Sequence, residues 1–106
     1  MILLHEPTLI GNEKKYLSDC IRTNWISTSG KYINQFERKI CSYTGSKYAV
    51  AVNSGTSALH ISLLLSNVRP GDEVIVPTVS FIASINSIKY CNANPIFIDV
   101  DNHLNI

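Results

Sequence analysis

The sequence predicts an α/β fold made of parallel β-α-β units, preceded by two helices. Three observations predict it. The runs Tyr48–Val52, Glu73–Val76 and Ile96–Val100 are rich in continuous Val, Ile and Ala rather than alternating apolar and polar residues, as in strands covered on both faces. Helix-compatible stretches, Ser57–Ser66 and Ser80–Cys91, fall between them, and buried strands alternating with helices make parallel units with right-handed crossovers. Turn formers punctuate the joints, at Asn53–Ser57 and at Arg69-Pro70-Gly71-Asp72.

The elements follow in order. Asn12 is placed to cap a helix over Glu13–Thr23, whose Tyr16, Leu17, Cys20 and Ile21 share one face. Trp25-Ile26-Ser27-Thr28-Ser29-Gly30 is a loop of small polar residues behind an aromatic. A second amphipathic helix covers Lys31–Tyr43, with Ile33, Phe36 and Ile40 at helical spacing, and Gly45 ends it in the left-handed conformation. The three strands and two helices follow. The last strand runs into Asp99-Val100-Asp101 shortly before Ile106. Three parallel strands leave two open edges, and the first two helices have no obvious partner. Residues 1–106 therefore read as the N-terminal, incomplete part of a larger domain, with a complete small domain as the alternative.

Composition excludes several functions. A net charge of +1 over 106 residues gives no basic field for nucleic acid. No apolar run approaches the ~20 residues of a membrane span. The opening Met1-Ile2-Leu3-Leu4-His5-Glu6-Pro7 lacks the basic start and long apolar core of a secretion signal. Cys20, Cys41 and Cys91 are odd in number and far apart, which suits reduced packing thiols in the cytoplasm. His5, His60 and His103 show no metal-ligand spacing, so no metal site is expected.

Chemistry concentrates at Asn53-Ser54-Gly55-Thr56-Ser57, between the first strand and the helix after it. A helix N-terminus leaves amides unpaired and carries partial positive charge, so it receives a phosphate readily. Gly55 allows close approach, and Ser54, Thr56 and Ser57 offer hydroxyls. A capped turn without a ligand explains the same residues. A Rossmann diphosphate loop needs three glycines where this turn has one, and the glycine-to-lysine spacing of a triphosphate loop is missing. One compact phosphomonoester fits better. Open parallel sheets bind ligands beyond the carboxyl ends of their strands, which here are Asn53–Ser57 and Pro77–Ser80.

Five segments in order carry a resemblance: Trp25 to Ile33, Phe36-Glu37, Tyr48 to His60, Pro70 to Thr78, and Pro95 to Asp101. Together they closely resemble the pyridoxal-phosphate-dependent aminotransferases of nucleotide-sugar biosynthesis, the DegT/StrS type, from about Leu4 to Asn105. His5-Glu6-Pro7 and Gly11 to Tyr16 look most like the branch that makes GDP-perosamine, and legionaminic and bacillosamine-type enzymes are also similar. The resemblance implies the N-terminal part of a fold-type I large domain in a homodimeric enzyme. That enzyme would move an amino group, usually from glutamate, onto a nucleotide-linked 4-keto-6-deoxy sugar for surface polysaccharide such as O-antigen. It implies that Gly55, Thr56 and Ser57 hold the cofactor phosphate, that Phe81 stacks on the pyridine ring, and that Trp25, Ser27 and Thr28 lie near the sugar substrate. It assigns no catalytic residue here. The family's imine-forming lysine and its aspartate on the pyridine nitrogen come from later sequence, and Lys14, Lys15, Lys31, Lys39, Lys47 and Lys89 read as surface lysines. Asn92 stands where the family has glycine, and Asn tolerates the left-handed helix end expected there. Alternatives are a non-catalytic truncated remnant of such an enzyme and a small Rossmann-like nucleotide-binding module.

Overall fold

The computed structural model describes residues 5–106. Met1–Leu4, the start of the segment read above for a leader and for the family resemblance, lie outside the described residues. The chain divides into two compact units, Met1–Ala51 and Val52–Ile106.

The first unit holds α1 (Glu13–Arg22) and α2 (Lys31–Thr44). Helix α1 starts where the sequence places it, but Asn12 makes no side-chain cap. No side chain caps the helix; the Glu13 carboxylate accepts the amide of Gly11, just before the helix, at 2.9 Å, and its negative charge lies at the positive end of α1. The far end closes when Thr23 turns its hydroxyl onto the Asp19 carbonyl at 2.7 Å and Asn24 goes left-handed at φ 53°. Helix α2 ends at Gly45 as expected, with φ 75° and its amide on the Cys41 carbonyl at 2.9 Å. The expected strand Tyr48–Val52 does not form. A strand needs a neighbouring ladder, and no segment among the described residues pairs with this one. The Ala51 amide goes to a side chain instead, donating to Glu37 Oε1 on α2 at 2.9 Å.

The second unit holds α3 (Gly55–Leu65), β1 (Glu73–Pro77), α4 (Ile82–Tyr90) and β2 (Asn94–Ile98). The strands are parallel, with Ile75 opposite Ile96 and Val76 opposite Phe97, so β1-α4-β2 is the predicted unit. Helix α4 packs on the sheet and α3 packs on α4. Val76, Ile88, Cys91 and Ala93 form the buried core, with Leu63, Val68, Val74 and Ile85 around it. Cys91 thus serves as the packing residue the sequence suggested. Asn92 takes φ 55° at the joint between α4 and β2, the left-handed role foreseen for it. Its carbonyl accepts the Gly71 amide at 3.0 Å, and the Asn94 amide donates to the Asp72 carbonyl at 2.7 Å, which ties the 69–72 turn to that joint. Among the described residues the strands are covered on one face. Ile75 is 61% exposed and its register partner Ile96 38%, on the face turned away from buried Val76, because only one helix lies against these two strands among the described residues.

Candidate cofactor and substrate sites

Helix α3 begins at Gly55, two residues earlier than expected, because Ser54 takes the N-cap with extended backbone. Ser54 Oγ accepts the Ser57 amide at 3.1 Å, and the Ser57 hydroxyl donates to Asn53 Oδ1 at 2.8 Å. Capping therefore occupies the Ser57 amide and ties down its hydroxyl. The first intrahelical bond of the turn is Ala58 N–H to the Ser54 carbonyl, 3.1 Å. The Gly55 and Thr56 amides precede it, in the turn where a helix offers no internal acceptor. The two readings of this turn thus coexist, with the cap on Ser54–Ser57 and the donors at Gly55 and Thr56.

No contact or backbone angle among the described residues requires glycine at position 55. A Cβ there would meet nothing within 4 Å, and its φ is not positive. Any other residue would cost less backbone entropy in the helix. Open space over two unpaired amides is what close approach of a phosphate requires, so the residues fit such a group.

Phe81 follows β1 by four residues and sits immediately before α4, with its backbone extended and its ring 81% exposed. Among the described residues it packs into no core. Thr56 meets Ser87, whose hydroxyl reaches the Thr56 carbonyl at 3.3 Å, and His60 meets Tyr90 edge-on at 5.5 Å, so α3 and α4 run the same way. Phe81 lies six residues before Ser87 and Gly55 one before Thr56, an axial offset of roughly 7–8 Å at the rise of a helix. A bare aromatic face thus stands beyond the anion turn. Ser87, fully buried, also donates to the Ala83 carbonyl at 2.7 Å and lets the helices approach closely; nothing in its sequence context singled it out.

In the first unit, α1, α2 and the loop between them border an open cavity of about 640 Å³ lined by Trp25, Ser27, Ser29, Tyr32, Asp19 and Arg22 among others. Trp25 and Ser27 are brought to it, whereas Thr28 does not line it; all three are exposed. The Trp25 indole N–H donates to the Ser29 carbonyl at 2.6 Å, and its ring lies so close to Gly30 that an added Cβ would stand 2.6 Å from Cδ1. Asp19, missed by the sequence reading, is the hub: it accepts from Tyr32 at 2.8 Å and Arg22 at 2.6 Å, with Lys31 at 3.5 Å. Hydrogen bonds from Tyr32 and then Arg22 hold its carboxyl down at about 2, and the Tyr32 hydroxyl is pushed up in return. Lys31, read as a surface lysine, is exposed and also pairs with Asp19 here. An aspartate three residues before an arginine on one helix was the available signal; the tyrosine thirteen residues on was not one.

A parallel β-α-β unit preceded by a capped helix, with an exposed aromatic between β1 and α4, is the architecture of an α/β domain. The chain belongs to the DegT/DnrJ/EryC1/StrS aminotransferase family, whose profile matches residues 7–106. It is 48% identical over 101 residues to the GDP-perosamine synthase of Escherichia coli O157:H7, covering 95% of this chain and 28% of that protein. Against the GDP-perosamine synthase of Caulobacter vibrioides the identity is 48% over 95 residues, 90% of this chain and 26% of the other. Among solved structures, Spr1654 from Streptococcus pneumoniae in its PLP form superposes with a TM-score of 0.83 at 34% identity, covering 94% of this chain and 25% of that one. The chain thus spans about a quarter of the length of the relatives it matches. No helix among the described residues is long and apolar enough to cross a membrane.

Proposed function

We propose that this chain is the cofactor-phosphate and ring-stacking part of a pyridoxal-phosphate-dependent aminotransferase that acts on a nucleotide-linked 4-keto-6-deoxy sugar, as a GDP-perosamine synthase does. The observation that carries the reading is the start of α3, where Gly55 opens space over unpaired amides and no contact among the described residues requires glycine. The Gly55 and Thr56 amides bind the phosphate, Thr56 adds its hydroxyl, and Ser57 holds the turn in shape through Asn53 and Ser54. Phe81 lays its ring against the pyridine face, fixing its tilt and excluding water from that side. Bound pyridoxal phosphate supplies the carrier for the amino group and the sink for the electrons released. Trp25 and Ser27 face the sugar substrate from their cavity. Glutamate as donor, cytoplasmic operation, a homodimeric assembly and a product destined for O-antigen or a similar surface polysaccharide complete the proposal, supported by the resemblance to the perosamine synthases. The test is an assay of the full-length protein, loaded with pyridoxal phosphate, on a GDP-linked 4-keto-6-deoxyhexose with glutamate. Formation of the 4-amino sugar is expected; cofactor binding without any amino-sugar product overturns the substrate assignment.

A further inference from the structure

We propose that Asp19 is a positioning residue for the nucleotide-sugar substrate, its carboxylate tying the end of α1 to the start of α2 so that the Trp25–Gly30 loop stands as a fixed wall of the cavity. The inference rests on the sugar-aminotransferase reading above.

The geometry separates a local contact from a closing one. Arg22 lies three residues from Asp19 on the same helix, and its pair at 2.6 Å constrains nothing beyond α1. Tyr32 lies across the loop on α2, and its hydroxyl donates to Asp19 Oδ2 at 2.8 Å, so this bond closes the loop at its base. Lys31 joins from the same side at 3.5 Å. The Tyr32 ring is itself held by Tyr16 on α1, with centroids 4.8 Å apart. Inside the loop, the Trp25 amide donates to the Cys20 carbonyl at 2.9 Å and the indole N–H to the Ser29 carbonyl at 2.6 Å. The loop is therefore fixed twice, at its base through Asp19 and across its span through Trp25.

Charge points the same way. Arg22 and Lys31 bring two positive charges against one carboxylate, which leaves the cluster net positive beside the cavity. Asp19 is ionised at any working pH, since its neighbours hold its carboxyl down at about 2. A positive cluster next to an indole and serine hydroxyls suits a diphosphate carrying a base and a sugar. Asp19 does not itself face such an anion favourably; it aims the cations and the loop that do.

Three variants of the full-length enzyme test this: Asp19→Ala, Asp19→Glu and Tyr32→Phe. The measurements are steady-state kinetics with a GDP-linked 4-keto-6-deoxyhexose and glutamate, the cofactor absorbance, and amide hydrogen exchange. Asp19→Ala should raise the KM for the sugar nucleotide by about fivefold or more while the glutamate KM and the cofactor band stay within about twofold. Tyr32→Phe should move the sugar KM in the same direction by less, and Asp19→Glu should recover part of the loss. Exchange should quicken over residues 24–31 and stay unchanged over 55–65. An unchanged sugar KM in folded Asp19→Ala overturns the proposal, as does a matched rise in both KM values with loss of cofactor. If Asp19→Ala does not fold, an unchanged sugar KM in Tyr32→Phe overturns it. Should the wild-type protein make no amino sugar, the functional reading fails, and unchanged exchange at 24–31 in the variants would sink the Asp19 tie independently.

Discussion

Gly55 is the residue on which the proposed phosphate site turns, since no contact among the described residues requires glycine there. A Cβ added there meets no atom within 4 Å and the backbone φ is not positive, so a Gly55→Val protein should fold, while its branched side chain should crowd a phosphate at the first-turn amides. In the full-length protein it should weaken pyridoxal phosphate binding by more than tenfold, about 1.4 kcal/mol, measured by titrating the apo-protein. Thr56→Ala should do less, because the backbone donors remain. Equal affinity in a folded Gly55→Val variant would remove the anion site from this turn. Phe81 invites a parallel test: its ring is exposed and supports no core among the described residues, so Phe81→Leu should leave the fold intact. It should also shift the bound cofactor's absorbance and loosen it, while Phe81→Tyr keeps the flat face and the spectrum. An unaltered spectrum and affinity in Phe81→Leu would assign the ring to a protein contact instead.

At the scale of elements, what the sequence could announce depended on how local the cause was. Helix starts at Glu13 and Lys31, the left-handed stop at Gly45, the 69–72 turn and the parallel β1-α4-β2 unit each follow from a few adjacent residues, and each was legible. The expected Asn12 cap of α1 does not form, since a capping residue type offers the bond but only local backbone geometry makes it. The Tyr48–Val52 ladder failed for a deeper reason: β-branched residues make a segment fit to pair, but pairing belongs to two segments at once. The candidate site divides the same way, its anion turn readable from five adjacent residues and its Asp19–Tyr32 tie hidden across the loop. That tie predicts an acid response. Asp19's folded-state value lies below the ordinary 3.8, at about 2, so its stabilisation of the α1–α2 pair is complete above 3.8 and is lost as pH falls toward 2. Carboxyl chemical shifts of Asp19 followed through that window should give a midpoint well below 3.8. A midpoint at 3.8 or above would mean that the Tyr32 and Arg22 contacts do not persist in solution.

The whole molecule is governed by how little of its apolar surface these residues cover. Helix α3 is apolar around most of its circumference, the pattern of a helix enclosed on several sides, yet Leu59 is 42% exposed, Leu64 53% and Leu65 83%. Leu17, Ile21 and Tyr43 in the first unit are exposed as well, and so is the Ile75–Ile96 pair on the sheet. Surface of that extent is covered in a folded, soluble protein or it aggregates. In the full-length enzyme, the homodimer proposed above would supply part of the cover, and sedimentation should give a symmetric dimer or a multiple of one; a fully active monomer at nanomolar concentration would refute it. Residues 1–106 expressed by themselves should meet the other outcome. The chemistry needs a lysine amine held at the reacting carbon of the cofactor and a carboxylate on its ring nitrogen. By family resemblance none of Lys14, Lys15, Lys31, Lys39, Lys47 or Lys89 holds the first position, and Asp99 and Asp101 do not hold the second. Asp101 is already engaged, its Oδ1 accepting the His103 and Asn105 amides at 2.8 and 2.9 Å. Borohydride reduction of this segment with pyridoxal phosphate, followed by peptide mapping, should therefore give weak labelling scattered over surface lysines and no turnover. Stoichiometric labelling of one lysine, accompanied by transamination, would establish these residues as a self-sufficient enzyme and overturn the assignment of the missing groups to other parts of the protein.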